Sequence, residues 1–251
     1  MLKIKKIIFL LLALSLIALP SSAQTAPKKP TSKLAPARDD IDMPVGGPRS
    51  DEQMADVEEI DEDEPPKLYD EELPVEELSI IYVVDISGSM WHSCPPFTGL
   101  DGNSTNGNRL DRAKVEIIRS ISALTANYTF NIISYHCSMV QWRPERADAI
   151  APNKADASGW TMALYPGGGT GTGPATALAL SDKDNYTVAL LSDGWPGCST
   201  PGGMAGHLQT IALSNTQGAK IHTFGISTYG AAEQFLRDIA TSSGGVYYPV
   251  D

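Results

Sequence analysis

Cysteine is scarce in this chain, at 3 in 251 residues, and histidine nearly so, at 4. That excludes a small scaffold held together by densely paired cysteines. Aromatic residues make up only 7% of the chain. Basic residues are outnumbered, 19 Lys and Arg against 30 Asp and Glu. Nowhere do Lys and Arg gather into a patch, so nucleic acid is not an expected partner. Long apolar runs are missing too. The longest, residues 7–19, falls short of the roughly 20 apolar residues that a membrane-spanning helix needs.

The front of the chain reads as an export signal. Lys3, Lys5 and Lys6 precede the apolar run, and Pro20-Ser21-Ser22-Ala23-Gln24 follow it. A charged start, a short apolar stretch and small residues form a secretory leader, with cleavage expected after Ala23. The expectation is an exported protein, whether periplasmic, cell-surface or secreted, with no transmembrane span once the leader is removed. Residues 24–77 are different in kind. Pro27, Pro30, Pro36, Pro44, Pro48, Pro65, Pro66 and Pro74 interrupt them, Tyr69 is their one aromatic residue, and they hold 17 acidic and 6 basic residues. Low hydrophobicity with high charge cannot offset ordering entropy, so this stretch is expected to be a disordered acidic linker. Residues 78–251 carry 13 acidic and 10 basic residues and are long enough to bury one core.

Period and punctuation divide residues 78–251 into alternating elements. Strands are expected at 80–84, 129–135, 138–142, 186–191, 221–225 and 246–248. Helices are expected at 110–124, with Asn108 as cap, weakly at 148–164, and at 175–180, 207–213 and 231–241. Such alternation implies an α/β fold: a doubly wound, mainly parallel sheet with helices on both faces.

The most informative stretch is Asp85-Ile86-Ser87-Gly88-Ser89-Met90, directly after Ile80-Ile81-Tyr82-Val83-Val84. The carboxyl edge of an open α/β sheet is where ligands bind. A carboxylate and two hydroxyls at alternate positions make a hard oxygen cluster, suited to Mg²⁺, Mn²⁺ or Ca²⁺ rather than zinc. Asp-x-Ser-x-Ser after a buried strand resembles the metal-ion-dependent adhesion site of von Willebrand factor type A domains. Two further pieces stand in the order that family has. Gly167-Gly168-Gly169-Thr170-Gly171-Thr172-Gly173 is similar to its glycine-threonine loop, and Val188-Ala189-Leu190-Leu191-Ser192-Asp193-Gly194 to its strand ending in Asp-Gly. The resemblance covers about residues 78–251. It implies a six-stranded sheet of Rossmann-like topology whose third strand runs antiparallel. It also implies a metal held by Asp85, Ser87, Ser89, Thr170 and Asp193, whose shell an Asp or Glu of a protein partner completes. No general base stands beside Ser87 or Ser89 in the sequence, so a non-enzymatic binding or adhesion module is expected. The alternative is a scaffold or accessory subunit of an envelope complex in which the metal only stabilises the fold.

Three features complete the expectations. Residues 91–108 exceed a compact family loop, and their Trp91, Phe97 and Leu100 are candidates for a partner-binding surface. Of the three cysteines, Cys94 and Cys198 are the expected disulfide, since both lie in loops flanking the metal motif, with Cys137 left free. A soft-metal set of His92, Cys94, His136, Cys137 and Cys198 is the competing use of these side chains. The acidic residues 51–77 are themselves a source of carboxylates, so self-association through them is expected to depend on metal.

Overall fold

The computed structural model describes residues 63–251. The expected leader and residues 24–62 of the expected linker lie outside the described residues. In chain order the elements are β1 (Lys67–Leu68), β2 (Glu71–Glu72), β3 (Ser79–Asp85), a 3₁₀ turn (Gly88–Trp91), β4 (Phe97–Thr98), β5 (Ser104–Thr105), α1 (Arg109–Ala123), β6 (Thr129–Tyr135), β7 (Met139–Gln141), β8 (Ala147–Asp148), α2 (Ala151–Met162), α3 (Thr172–Ala179), β9 (Thr187–Ser192), α4 (Gly203–Ser214), β10 (Lys220–Ile226), α5 (Gly230–Ser243) and β11 (Tyr247–Val250).

The main sheet has the order β11-β10-β9-β3-β6-β7, and the short β8 also pairs with β6. Its strands are parallel except β7 and β8, which both run antiparallel to β6. The six expected strands are all present. A seventh, β8, is a two-residue piece that shares the β6 edge with β7, since β7 pairs with Ile133–Tyr135 and β8 with Thr129 and Phe130. Strand β3 is buried at all seven residues, as its unbroken apolar run requires between two layers. From β3 the chain steps outward to β6, then crosses back to add β9 on the other side. The switch point therefore lies between β3 and β9, where Val84 pairs with Leu191. Asp85 and Ser192 end those strands side by side.

Alternation along each strand feeds two cores. Ile80, Tyr82, Val84, Phe130, Ile132, Ala189, Leu191, Phe224 and Ile226 face one side with α1 and α2. Ile81, Val83, Ile133, Tyr135, Val188, Leu190 and Ile221 face the other, with α3, α4 and α5. Asn108 caps α1 as expected, through a reciprocal box with Asp111, which satisfies two orphan amides.

The expected linker boundary at residue 77 is too late. Residues 67–72 form a hairpin, with Tyr69 and Asp70 at φ 53° and 64°, the left-handed pair that a two-residue hairpin turn needs. Leu68 and Leu73 are fully buried in the α1-side core, and the Tyr69 ring lies 5.7 Å from that of Phe224. The physical reason is coverage. Six strands about 4.8 Å apart make a sheet nearly 30 Å wide, and two helices about 10 Å across leave part of one face bare. The hairpin covers it beside Phe224 and Tyr248, whose rings stack at 4.8 Å. Farther along, the Glu76 amide donates to Thr187 Oγ1 (2.9 Å) and its carboxylate meets Lys220 Nζ. Both contacts sit at the amino ends of β9 and β10, opposite the Asp85 edge.

Two histidines are buried as neutral rings. His207 Nδ1 accepts the Gly173 N–H (2.8 Å) and His222 Nδ1 the Val246 N–H (3.3 Å). Burial is the main cause that lowers both below their ordinary 6.5. A depressed folded-state value means that the unfolded chain takes up the proton more readily. Their contribution is therefore complete above pH 6.5 and is lost as pH falls below it. Thermal melts between pH 7.5 and 4.5 should show a smaller acid loss in His207→Gln and His222→Gln than in the unsubstituted chain. Equal losses would remove the histidines from the account.

Candidate metal and ligand site

The site grows from the two strand ends at the switch point. Asp85 is the last residue of β3 and is fully buried. Its Oδ1 accepts the Ser87 N–H (2.7 Å) and its Oδ2 the Ser192 hydroxyl (2.6 Å), with the Tyr135 hydroxyl at 3.4 Å. The short turn after Asp85 brings the hydroxyls of Ser87 and Ser89 within 3.1 Å of each other. Asp193 follows β9 directly, and its side chain is 5% exposed. Gly194 has φ 98°, and a Cβ there would lie 3.0 Å from the Ala232 carbonyl of α5, so only glycine lets the chain turn away past Asp193.

Thr170 reaches the same edge through its loop. The Gly88 N–H donates to the Gly168 carbonyl (2.9 Å) and the Gly167 N–H to Ile86 (2.7 Å). The Thr170 carbonyl in turn accepts from the amides of Gly197 (2.9 Å) and Cys198 (3.1 Å). A Cβ on Gly169 would sit 2.9 Å from the Cys137 sulfur, and one on Gly171 would sit 2.6 Å from the His136 carbonyl. The glycines let this loop lie flat against its neighbours.

The donors suit a hard cation. Burial pushes the Asp85 carboxyl up to about 7, the Asp193 charge adds to the rise, and the hydrogen bonds from Ser192 and Ser87 oppose it. Two carboxylates at one site are costly to ionise together. A divalent cation between them would relieve that cost, and the serine and threonine hydroxyls are hard oxygen donors without charge. Mg²⁺, Mn²⁺ and Ca²⁺ fit this donor set.

The cysteines pair differently from the expectation. Cys137 is bonded to Cys198, with Cα atoms 5.5 Å apart, and Cys94 is free. Cys94 was the wrong partner because its segment pairs back onto the end of the insertion, with Ser93 bridging Asn108 and the Cys94 N–H donating to the Gly107 carbonyl (3.2 Å). There the Cys94 thiol contacts the Gly107 and Asn108 carbonyls. The glycine loop brings Cys137 and Cys198 together instead. The disulfide also removes two thiolates from the soft-metal alternative.

The expected partner loop divides. Trp91 and Leu100 are exposed at 56% and 51%, but Phe97 is buried, so Phe97 anchors the insertion and offers no surface. Arg119 holds the same hairpin through the Thr98 and Gly99 carbonyls, both at 2.7 Å.

A cleft of about 770 Å³ opens over the site, lined by Ser89, His92, Arg109, Asp193, Trp195 and Tyr229 among others. Sequence reasoning missed several residues of the site and its cleft. Ser192 and Tyr135 became visible only through strand pairing. Arg109 lies 84 residues from the Asp193 that it binds. Trp195 follows Asp193-Gly194 directly, which was a usable signal.

Together, the strand order and the cleft at the carboxyl edge define an α/β domain of the doubly wound class. The domain has the von Willebrand factor type A fold. No protein-family model matches the chain. The sequence is 26% identical over 153 residues to the human von Willebrand factor A domain-containing protein 3B, covering 59% of this chain and 11% of that protein. It is 24% identical over 182 residues to human inter-alpha-trypsin inhibitor heavy chain H4, covering 67% of this chain and 18% of that protein. The chain thus spans less than a fifth of the length of either relative. Among solved structures, a von Willebrand factor type A protein from Catenulispora acidiphila superposes with a TM-score of 0.55 at 21% identity, over 69% of this chain and 38% of that one. Among the described residues, no helix is long and apolar enough to cross a membrane.

Proposed function

We propose that this domain is a metal-dependent protein-binding module, in which Asp85, Ser87, Ser89, Thr170 and Asp193 hold one Mg²⁺ or Mn²⁺ and a partner's Asp or Glu completes the shell. The observation that carries this reading is the placement of Asp85 and Asp193 at one switch point, under a cleft walled partly by exposed aromatics. A bound divalent cation supplies an open position for an anionic oxygen. The chain's residues do the rest. Ser192 and Ser87 orient Asp85, Gly194 aims Asp193, and the glycine loop presents Thr170. Trp195 and Tyr229, exposed at 56% and 83%, offer apolar area to the partner around the charged centre.

Calorimetry with Mg²⁺ or Mn²⁺ should give one binding event per chain. Asp193→Ala and Asp85→Ala should each abolish it, together with chelator-sensitive capture of an acidic partner. Retained metal binding in both variants would sink the assignment. If metal raises the melting temperature but leaves partner capture unchanged, the scaffold reading takes its place. Export through the leader, and capture of the chain's own acidic residues 51–62, belong to the same proposal. Glu76 is not a candidate for that capture, because its contacts with Thr187 and Lys220 hold it at the opposite edge.

A further inference from the structure

We propose that Arg109 is a specificity-determining residue of this cleft: it competes with a bound cation for Asp193 and, once displaced, anchors the ligand's anionic group. The inference rests on the metal-dependent reading above. Arg109 opens α1 and its backbone is fixed by the bond from its N–H to the His92 carbonyl (3.0 Å). Its Nη1 lies 2.8 Å from Asp193 Oδ2, with side chains 19% and 5% exposed. Among the described residues its Nε–H is buried without a hydrogen-bond partner. A guanidinium has five N–H groups in a rigid fork suited to a carboxylate. This one has donors to spare and lines the cleft that a ligand must enter.

Charge decides the argument. Two carboxylates and one guanidinium leave one net negative charge. A divalent cation reverses that to one net positive charge, which a single ligand carboxylate then balances. Without Arg109, the two carboxylates alone would already neutralise the cation, and the ligand carboxylate would enter a neutral site. Arg109 therefore weakens cation binding, because a positive charge stands beside the cation's ligand. It strengthens anion binding for the same reason. Charge-assisted Arg–carboxylate bonds are the stronger kind, and Arg differs from a point charge by its forked geometry.

The test uses the full-length chain with Arg109→Gln and Arg109→Lys. Calorimetry reads the affinity for Mg²⁺ or Mn²⁺ alone. Surface plasmon resonance at saturating metal reads the affinity for a short peptide carrying one aspartate, against its asparagine counterpart. Arg109→Gln should tighten metal binding by about tenfold and weaken the aspartate peptide by about tenfold or more. Arg109→Lys should keep metal affinity near that of the unsubstituted chain and recover only part of the peptide affinity. A merely structural arginine would lower both affinities together, with a lower melting temperature. That result overturns the proposal, as does an unchanged peptide affinity in Arg109→Gln. Absence of any metal signal in the unsubstituted chain would overturn the metal-dependent reading itself, and this inference with it. That outcome is distinct from failure of Arg109 alone, in which the unsubstituted chain still binds metal.

Discussion

A chain beginning at Leu78 should melt roughly 5–15 °C below the full-length protein, at a few degrees per kcal/mol for a domain of this size. The loss follows from what the hairpin buries. Leu68 and Leu73 are fully enclosed in the α1-side core, with Phe224, Leu110 and Ile117 in the same cluster. Leu→Ala at such a position costs about 2–5 kcal/mol, the spread reflecting how far the site can collapse. Removing the segment also strips the cover from Phe224 and Tyr248. It leaves the half-buried Glu116 without the Tyr69 N–H that its carboxylate accepts (3.0 Å). Leu68→Ala in the full-length chain isolates the packing term, and urea unfolding checks both variants. If the trimmed chain and Leu68→Ala both unfold at the midpoint of the unsubstituted protein, the hairpin is an ornament and the domain does begin at residue 78.

Replacing both Cys137 and Cys198 by Ala should cost about 4 kcal/mol by the loop-entropy relation for a separation of 61 residues, with native strain able to reduce it. The same change should weaken metal binding. The disulfide ties the end of β6 to the segment after Asp193, and the Thr170 loop is pressed between them. Its Gly171 N–H donates to the His136 carbonyl (2.9 Å), and its Thr170 carbonyl holds the Gly197 and Cys198 amides. Without the bond, the Thr170 loop and the Asp193 loop are free to separate, and the donors that must converge are less organised in advance. Melts and metal titrations on the double variant, against Cys94→Ala as control, check this. Non-reducing peptide mapping should show Cys137 linked to Cys198. A map that places Cys94 in the bridge, or a double variant with unchanged stability and metal affinity, would refute it.

Much of this protein is settled by local pattern. The run Ile80–Val84 is apolar at every position, so it must lie between two layers, and its polar successor must fall at the sheet edge. That Asp85, Ser87, Ser89, Thr170 and Asp193 would fall along one sheet edge was legible because their spacing is short within each motif and each motif sits at the end of an element. Asn108 was legible as a cap for the same reason, since a cap acts within three residues of itself. The tertiary structure decided what depends on distance in space. A disulfide partner is chosen by which Cα atoms come within reach, and sequence proximity to the metal motif favoured Cys94 wrongly. The hairpin of residues 67–72 hid behind prolines and acids because its few apolar residues gain burial only against a face left bare by two helices. Whether Phe97 points in or out depended on the same kind of packing. The pairing of Arg109 with Asp193 has no sequence signature at all: one opens a helix, the other ends a strand, and only the crossing of the chain at the switch point brings their charges together.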